Sequence, residues 1–172
     1  AVATTPRRYN WRSDHPAQLY WTLAQDEGDT RNEADFRDQL FYLEPPFTGE
    51  PQPSVKMPLR YGAIRWGRGD LAIVIDWSYK DRQQVTRRWW PDEPTRTAEV
   101  IFDQNWEDNY NGPGMFMTIT QRNDHSVLLT REEGTKMVLA GIGHGPEGSQ
   151  PFIDTYEIAT GETERLWQST PP

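Results

Sequence analysis

The sequence predicts an all-β fold of short antiparallel strands. Three observations carry this. Eight Trp, seven Tyr and six Phe stand among 172 residues, and aromatic side chains fit a pleated surface. Fourteen Pro and thirteen Gly supply frequent turns. Helical periodicity is hard to find. Ala34–Leu43 is the one segment with a helical alternative, and there Phe41-Tyr42-Leu43, ahead of Pro45-Pro46, reads better as a strand end.

The strands follow in order. Leu19–Ala24 is a short apolar run, followed by Gln39–Leu43 and Ser54–Leu59. In "RYGAIRWGRGDLAIVIDW", residues 60–77, Ala63–Trp66 and Leu71–Trp77 form a hairpin around Gly67-Arg68-Gly69-Asp70. Gln84–Trp90 and Glu99–Phe102 come next. Met115–Thr120 and His125–Thr130 are joined by the turn Gln121-Arg122-Asn123-Asp124. Lys136–Ala140, Phe152–Ile158 and Thr163–Trp167 complete the series, the last two joined at Ala159-Thr160-Gly161-Glu162, where Gly supplies positive φ.

The order repeats. Trp11–Asp14 leads to Leu19-Tyr20-Trp21, Trp66–Asp70 to Leu71-Ala72-Ile73, and Thr120–Asp124 to Val127-Leu128-Leu129. Each is a strand, a polar turn containing Asp, and a more apolar strand, with further strands behind. The spacing of about 55 residues suits a four-stranded propeller blade. The fold class expected is therefore all-β, with antiparallel four-stranded blades of a β-propeller. About three blades are expected, at 9–60, 61–103 and 114–169, as a section of a larger ring. Gly67–Asp70 would turn an innermost strand onto the second strand. In the unalternating run after it, Ile73 and Ile75 would face one neighbouring sheet and Ala72 and Val74 the other.

Composition bounds the function. The net charge is −8, which repels phosphates, and no basic stripe stands out, so nucleic acid is not an expected partner. No apolar run approaches the roughly 18–20 residues that span a bilayer. Ala1–Thr5 has no charged start and no apolar core, so no signal peptide is visible. The absence of Cys excludes disulfides and thiolate metal sites.

Several segments resemble a known family. "PLRYGAIRWGRGDLAIVIDWSYKDRQ", "VIFDQNWEDNYNGPG" and "GIGHGPEGSQPFIDTYEIATGETERLWQS" look like the propeller domain of the glutamyl endopeptidases, serine peptidases of the prolyl oligopeptidase family. "YNWRSDHPAQLYWTLAQDEGD" fits the preceding blade, so the resemblance covers 9–169. It implies a propeller above an α/β-hydrolase domain that carries Ser, Asp and His and lies beyond Pro172. It implies two partners, the hydrolase domain of the parent chain and a peptide substrate, and no cofactor. Relatives occur in plastids and in bacteria, some exported, so plastid or periplasm is the expected compartment.

No catalytic residue is expected in this chain. Ser149, in Gly148-Ser149-Gln150-Pro151, lacks the Gly-x-Ser-x-Gly elbow and its strand–turn–helix context. His15 and His125 each follow a turn Asp, and His144 sits in Gly143-His144-Gly145-Pro146, a loop.

Four loops, Gln25–Arg37, Ser78–Gln83, Asp103–Gly114 and Gly141–Gln150, should share one rim. Trp77, Tyr79 and Arg82, with Trp106, Glu107, Asp108 and Tyr110, are candidates for a substrate channel or domain interface. The competing reading makes Trp77 and Trp106 packing residues and the loop 103–114 a rigid connector. The carboxylates Glu107 and Asp108, or Asp26, Glu27 and Asp29, lack the ligand spacing of a calcium loop, and no metal is expected. A glutamyl-preferring peptidase would use Arg for its paired hydrogen-bond donors, but no single Arg stands out. Two other functional readings remain open. One is a self-contained β-sandwich or barrel that binds carbohydrate or a partner through exposed Trp. The other is an interaction fragment with exposed blade faces.

Overall fold

The computed structural model describes residues 1–122 and 124–170. Asn123, within the expected turn 121–124, and Pro171–Pro172 lie outside the described residues. The chain is all-β, built of successive antiparallel sheets.

The first sheet is a four-stranded meander: β1 (Arg7–Trp11), β2 (Leu19–Ala24), β3 (Asp38–Leu43) and β4 (Gln52–Met57). The second repeats it with β5 (Arg60–Trp66), β6 (Ala72–Ser78), β7 (Gln83–Trp89) and β8 (Glu99–Asn105). The β5–β6 turn is tight because Gly67 N–H donates to the Leu71 carbonyl at 2.7 Å. A Cβ on Gly67 would stand 2.7 Å from that oxygen. Gly69 and Asp70 both take left-handed backbone, φ 64° and 58°, which a Gly and an Asp adopt more readily than most residues.

The third unit departs from the expected order. Its short strands are β9 (Met115–Phe116), β10 (Thr118–Thr120), β11 (Ser126–Leu128) and β12 (Thr130–Arg131). After a 3-10 turn come β13 (Lys136–Gly141) and the small β14–β15 hairpin (His144–Gly145, Gly148–Ser149). The last strands are β16 (Phe152–Glu157) and β17 (Thr163–Gln168). Met115 and Phe116 pair with Ala140 and Leu139, while Thr130 and Arg131 pair with Met137 and Lys136. β9 and β12 therefore lie end to end along one edge of β13 as a single interrupted first strand. Between them Met117 N–H donates to Val138 O, and Val138 N–H donates to Leu129 O, both within 3.0 Å. The hairpin β10–β11 leaves the sheet at this point as an excursion. The reading of Met115–Thr120 as a whole inner strand, with His125–Thr130 as the second, is thus corrected. The hairpin signal is local and real, but pairing along β13 decides which residues belong to the sheet.

Two separate cores hold the sheets face to face. Tyr20, Leu40, Val55 and Met57 of the first sheet meet Trp66, Ala72, Val74 and Trp89 of the second. Leu71 and Ile73 of the second, with Ile75 at the margin, meet Phe116, Leu128, Met137, Leu139 and Tyr156 of the third. The second sheet is apolar on both faces because it is covered on both. Ala72 and Val74 face one neighbour, and Ile73 and Ile75 face the other. Buried large side chains each contribute ~1.5–3 kcal/mol. This arrangement corrects the alternative of a two-sheet sandwich or closed barrel: the described sheets do not enclose a common core. Of the eight Trp, Trp21, Trp66, Trp89 and Trp90 are buried. No helix among the described residues is long and apolar enough to cross a membrane.

Candidate functional site

In a meander the connections alternate between two ends of the sheet. The β2–β3, β6–β7 and β13–β16 loops, and the β8–β9 connection, emerge at one end. There the structure joins the β6–β7 loop to the β8–β9 connection. Trp106 N–H donates to the Arg82 carbonyl at 2.9 Å, and the Arg82 guanidinium pairs with Glu107 at 2.6 Å. Tyr79 lies 6.2 Å from Trp106 and 6.3 Å from Trp77, ring centre to ring centre. Asp108 accepts the backbone N–H groups of Tyr110 and Asn111, an Asx-type turn. These hydrogen bonds hold the Asp108 carboxyl below the usual carboxylate range, the largest contribution coming from the Asn111 side chain.

A buried ionic network anchors the same end. Arg60, at the start of β5, donates to both oxygens of Asp26 at 2.6 Å and to Asp38 at 3.0 Å. Asp38 also accepts from Arg7 at 2.6 Å and from the Tyr61 N–H at 2.7 Å. Asp26 also takes Arg37 at 3.2 Å. Both carboxylates are essentially inaccessible, and fixed guanidiniums are what make such burial tolerable.

Beside this network a groove of about 950 Å³ runs along the first strands of the three sheets. Arg7 and Arg8 come from β1, and Arg60, Tyr61, Gly62, Ala63 and Arg65 from β5. Trp77, Tyr79 and Trp106 form an aromatic wall, and Met115 of β9 closes one side. Trp77 is 38% exposed and Tyr79 76%. β-bulges occur in both first strands at this level, between Arg7 and Asn10 and between Tyr61 and Ala63. A bulge breaks the strict alternation of side chains, and so neighbours such as Arg7 and Arg8 reach one groove. Gly62 lets Trp77 lie close to the backbone, for a Cβ there would sit 3.2 Å from the indole Cδ1. Burial pushes the Tyr61 hydroxyl up to about 12, against the opposing pull of Arg8, so the ring stays neutral.

The expected site residues therefore separate. Trp77, Tyr79 and Trp106 share this groove, with Arg82 and Glu107 paired beside it. Arg82 does not line the groove, its charge being committed to Glu107. Tyr110 lines a second hollow, formed by residues 110–113 and 143–147 with Arg165. Asp26 is committed to Arg60 and Arg37, and Asp29 to Arg31, and no cluster fit for a metal ion occurs among the described residues. Ser149 Oγ lies 3.1 Å from His144 Nδ1 across the exposed β14–β15 hairpin. Among the described residues no carboxylate orients that imidazole, and the strand–turn–helix of a nucleophile elbow is absent there.

Sequence reading missed Arg8 and Arg65. Each lines the groove without an ion-pair or hydrogen-bond partner for its side chain among the described residues. The only linear trace is the doublet Arg7-Arg8, and it is uninformative until the groove exists.

The chain is 39% identical, over an alignment of 178 positions that covers 98% of its length, to a probable chloroplastic glutamyl endopeptidase of Oryza sativa subsp. japonica. It is 37% identical, over an alignment of 173 positions that covers 95% of its length, to a probable chloroplastic glutamyl endopeptidase of Arabidopsis thaliana. It spans 19% and 18% of those relatives, and neither finding supports a bacterial periplasmic setting. No family model matches the chain, and no solved structure matches it.

Proposed function

We propose that this chain is a non-catalytic, three-blade section of a β-propeller in a glutamyl endopeptidase-like serine peptidase of the prolyl oligopeptidase family. Its role is to gate peptide access to an α/β-hydrolase domain of the same parent. The observation that carries the reading is the stack of three successive antiparallel sheets, neighbours meeting face to face, with every first strand along one groove. In a ring of such blades the first strands line the central channel. The groove is then channel wall, and the loops at its end form the rim that a peptide passes. The two plant relatives support a peptidase parent and a plastid setting.

A ring of fixed width excludes folded proteins while admitting extended peptides. In the parent enzyme, shortening loops 25–37 and 103–114 should leave cleavage of short Glu-containing peptides in place and let folded proteins be cut. A parent with both loops shortened that still excludes folded proteins refutes the gating role. A parent sequence without a Gly-x-Ser-x-Gly elbow refutes the serine-peptidase class.

A further inference from the structure

We propose that Met115 is an oxidation-responsive site on the groove wall. A peroxide converts its thioether to a sulfoxide, whose oxygen accepts the indole N–H of Trp106 and draws the side chain across the groove. The inference rests on the channel reading above and adds to it a modification and a means of regulation.

The first argument is exposure. The chain has four Met. Met57 and Met137 are 0% exposed, one in each of the two cores. Met117 is 37% exposed and Met115 63%. A dissolved oxidant therefore meets the Met115 sulfur first.

The second argument is position. Met115 opens β9, and its backbone is pinned by pairing with Ala140 of β13. The next residue, Phe116, enters the core between the second and third sheets. Alternation along the strand turns Met115 to the opposite side, where it lines the groove together with Trp77, Tyr79 and Trp106. The backbone is fixed, but an unbranched side chain with three rotatable bonds can swing without disturbing the sheet.

The third argument is hydrogen bonding. Trp106 Nε1 is buried, belongs to the same groove lining and has no hydrogen-bond partner. Arg7 Nη1, on the same wall, is in the same condition. Both atoms can only donate. A thioether is a weak acceptor, whereas a sulfoxide oxygen is a strong one. Oxidation of Met115 thus supplies the kind of atom that the wall lacks.

The step balances with hydrogen peroxide as oxidant. A lone pair on Met115 Sδ attacks one peroxide oxygen, and the S–O bond forms as the O–O bond breaks. The departing hydroxide takes the proton of the transferred oxygen and leaves as water. Methionine sulfoxide reductases reverse the change. In the parent the oxidised side chain narrows the channel and slows peptide entry, and reduction reopens it.

The test treats the folded chain with dilute hydrogen peroxide and follows each Met by peptide mass spectrometry. Met115 should be oxidised about threefold or more faster than Met117, and about tenfold or more faster than Met57 and Met137. The Trp106 indole N–H resonance, assigned with Trp106→Phe, should move downfield and exchange more slowly with water. Treatment with reductases for both sulfoxide epimers should undo both changes. Met115→Leu conserves apolar volume and should show neither change under peroxide. In the parent enzyme, peroxide should slow cleavage of short Glu-containing peptides about twofold or more, reductase should restore the rate, and the Met115→Leu parent should lose less. Oxidation of Met117 as fast as Met115 overturns the proposal. So does a Trp106 resonance that ignores oxidised Met115, one that shifts equally in Met115→Leu, or equal loss of rate in the wild-type and Met115→Leu parents. The measurements on the chain do not involve gating, so a failed loop-shortening test leaves them standing. An inert Met115 in a parent that excludes folded proteins overturns this site alone.

Discussion

Replacing Arg60 with Met tests the ionic network that ties the first sheet to the second. Among the described residues, Arg60 is the one side chain that bridges Asp26 and Asp38, both essentially inaccessible to water. Breaking a buried pair by removing one partner costs roughly 3–5 kcal/mol, because a charge stays buried without compensation. Here Asp38 keeps Arg7 at 2.6 Å, and Asp26 keeps Arg37 at 3.2 Å. The expected loss therefore lies near the lower end, about 3 kcal/mol. That is a large share of a typical stability of roughly 5–15 kcal/mol. Asp26→Asn alone should cost about 1–2 kcal/mol, since Arg60 still serves Asp38. Together the changes should cost at least about 1 kcal/mol less than their sum, because the second removes the charge that the first strands. Equilibrium urea unfolding of the four proteins measures all terms, provided the slope is shared. An Arg60→Met loss below about 1 kcal/mol, or strict additivity with Asp26→Asn, refutes the reasoning.

Two further outcomes follow from the fold. Ile73 is 0% exposed between the second and third sheets, so Ile73→Ala should lose about 2–5 kcal/mol. Val100→Ala, at a site 55% exposed, should change stability by less than about 0.5 kcal/mol; comparable losses in urea titrations would contradict the two-core packing. The buried Asp76 carboxyl is raised above its ordinary value by desolvation, against the opposing effect of Arg87. In that state the folded protein holds its proton to higher pH than the unfolded chain. The stability of wild type relative to Asp76→Asn should therefore be greatest below the unfolded carboxyl pKa and fall as pH rises through the folded one. A difference that grows with pH would show that ion pairing outweighs desolvation.

The amphipathic logic of the second sheet was legible in the chain. The run Leu71–Ile75 lacks alternation, and an apolar residue on each face requires a neighbour on each face. The turn at Gly67–Asp70 was equally legible, since only a few residue types tolerate its backbone. The third unit was not. Residues 118–128 form a local hairpin, but whether such a hairpin serves as two strands of a sheet or as an excursion from one strand depends on β13, which the hairpin does not contain. The groove was hidden for a related reason. Trp77, Tyr79 and Trp106 could be singled out as aromatic and near turns, whereas Arg8 and Arg65 are set apart only by lining the groove without a partner among the described residues.

The sequence by itself determined most strands of the first two sheets, most turns, and which face of the middle sheet each aliphatic residue covers, because turn chemistry and apolar patterning are properties of neighbouring residues. Only the tertiary structure decided which charges are spent and which are free. Asp26 and Arg60 are 34 positions apart, and the partner of a charge is fixed by distance in space, to which order along the chain is blind.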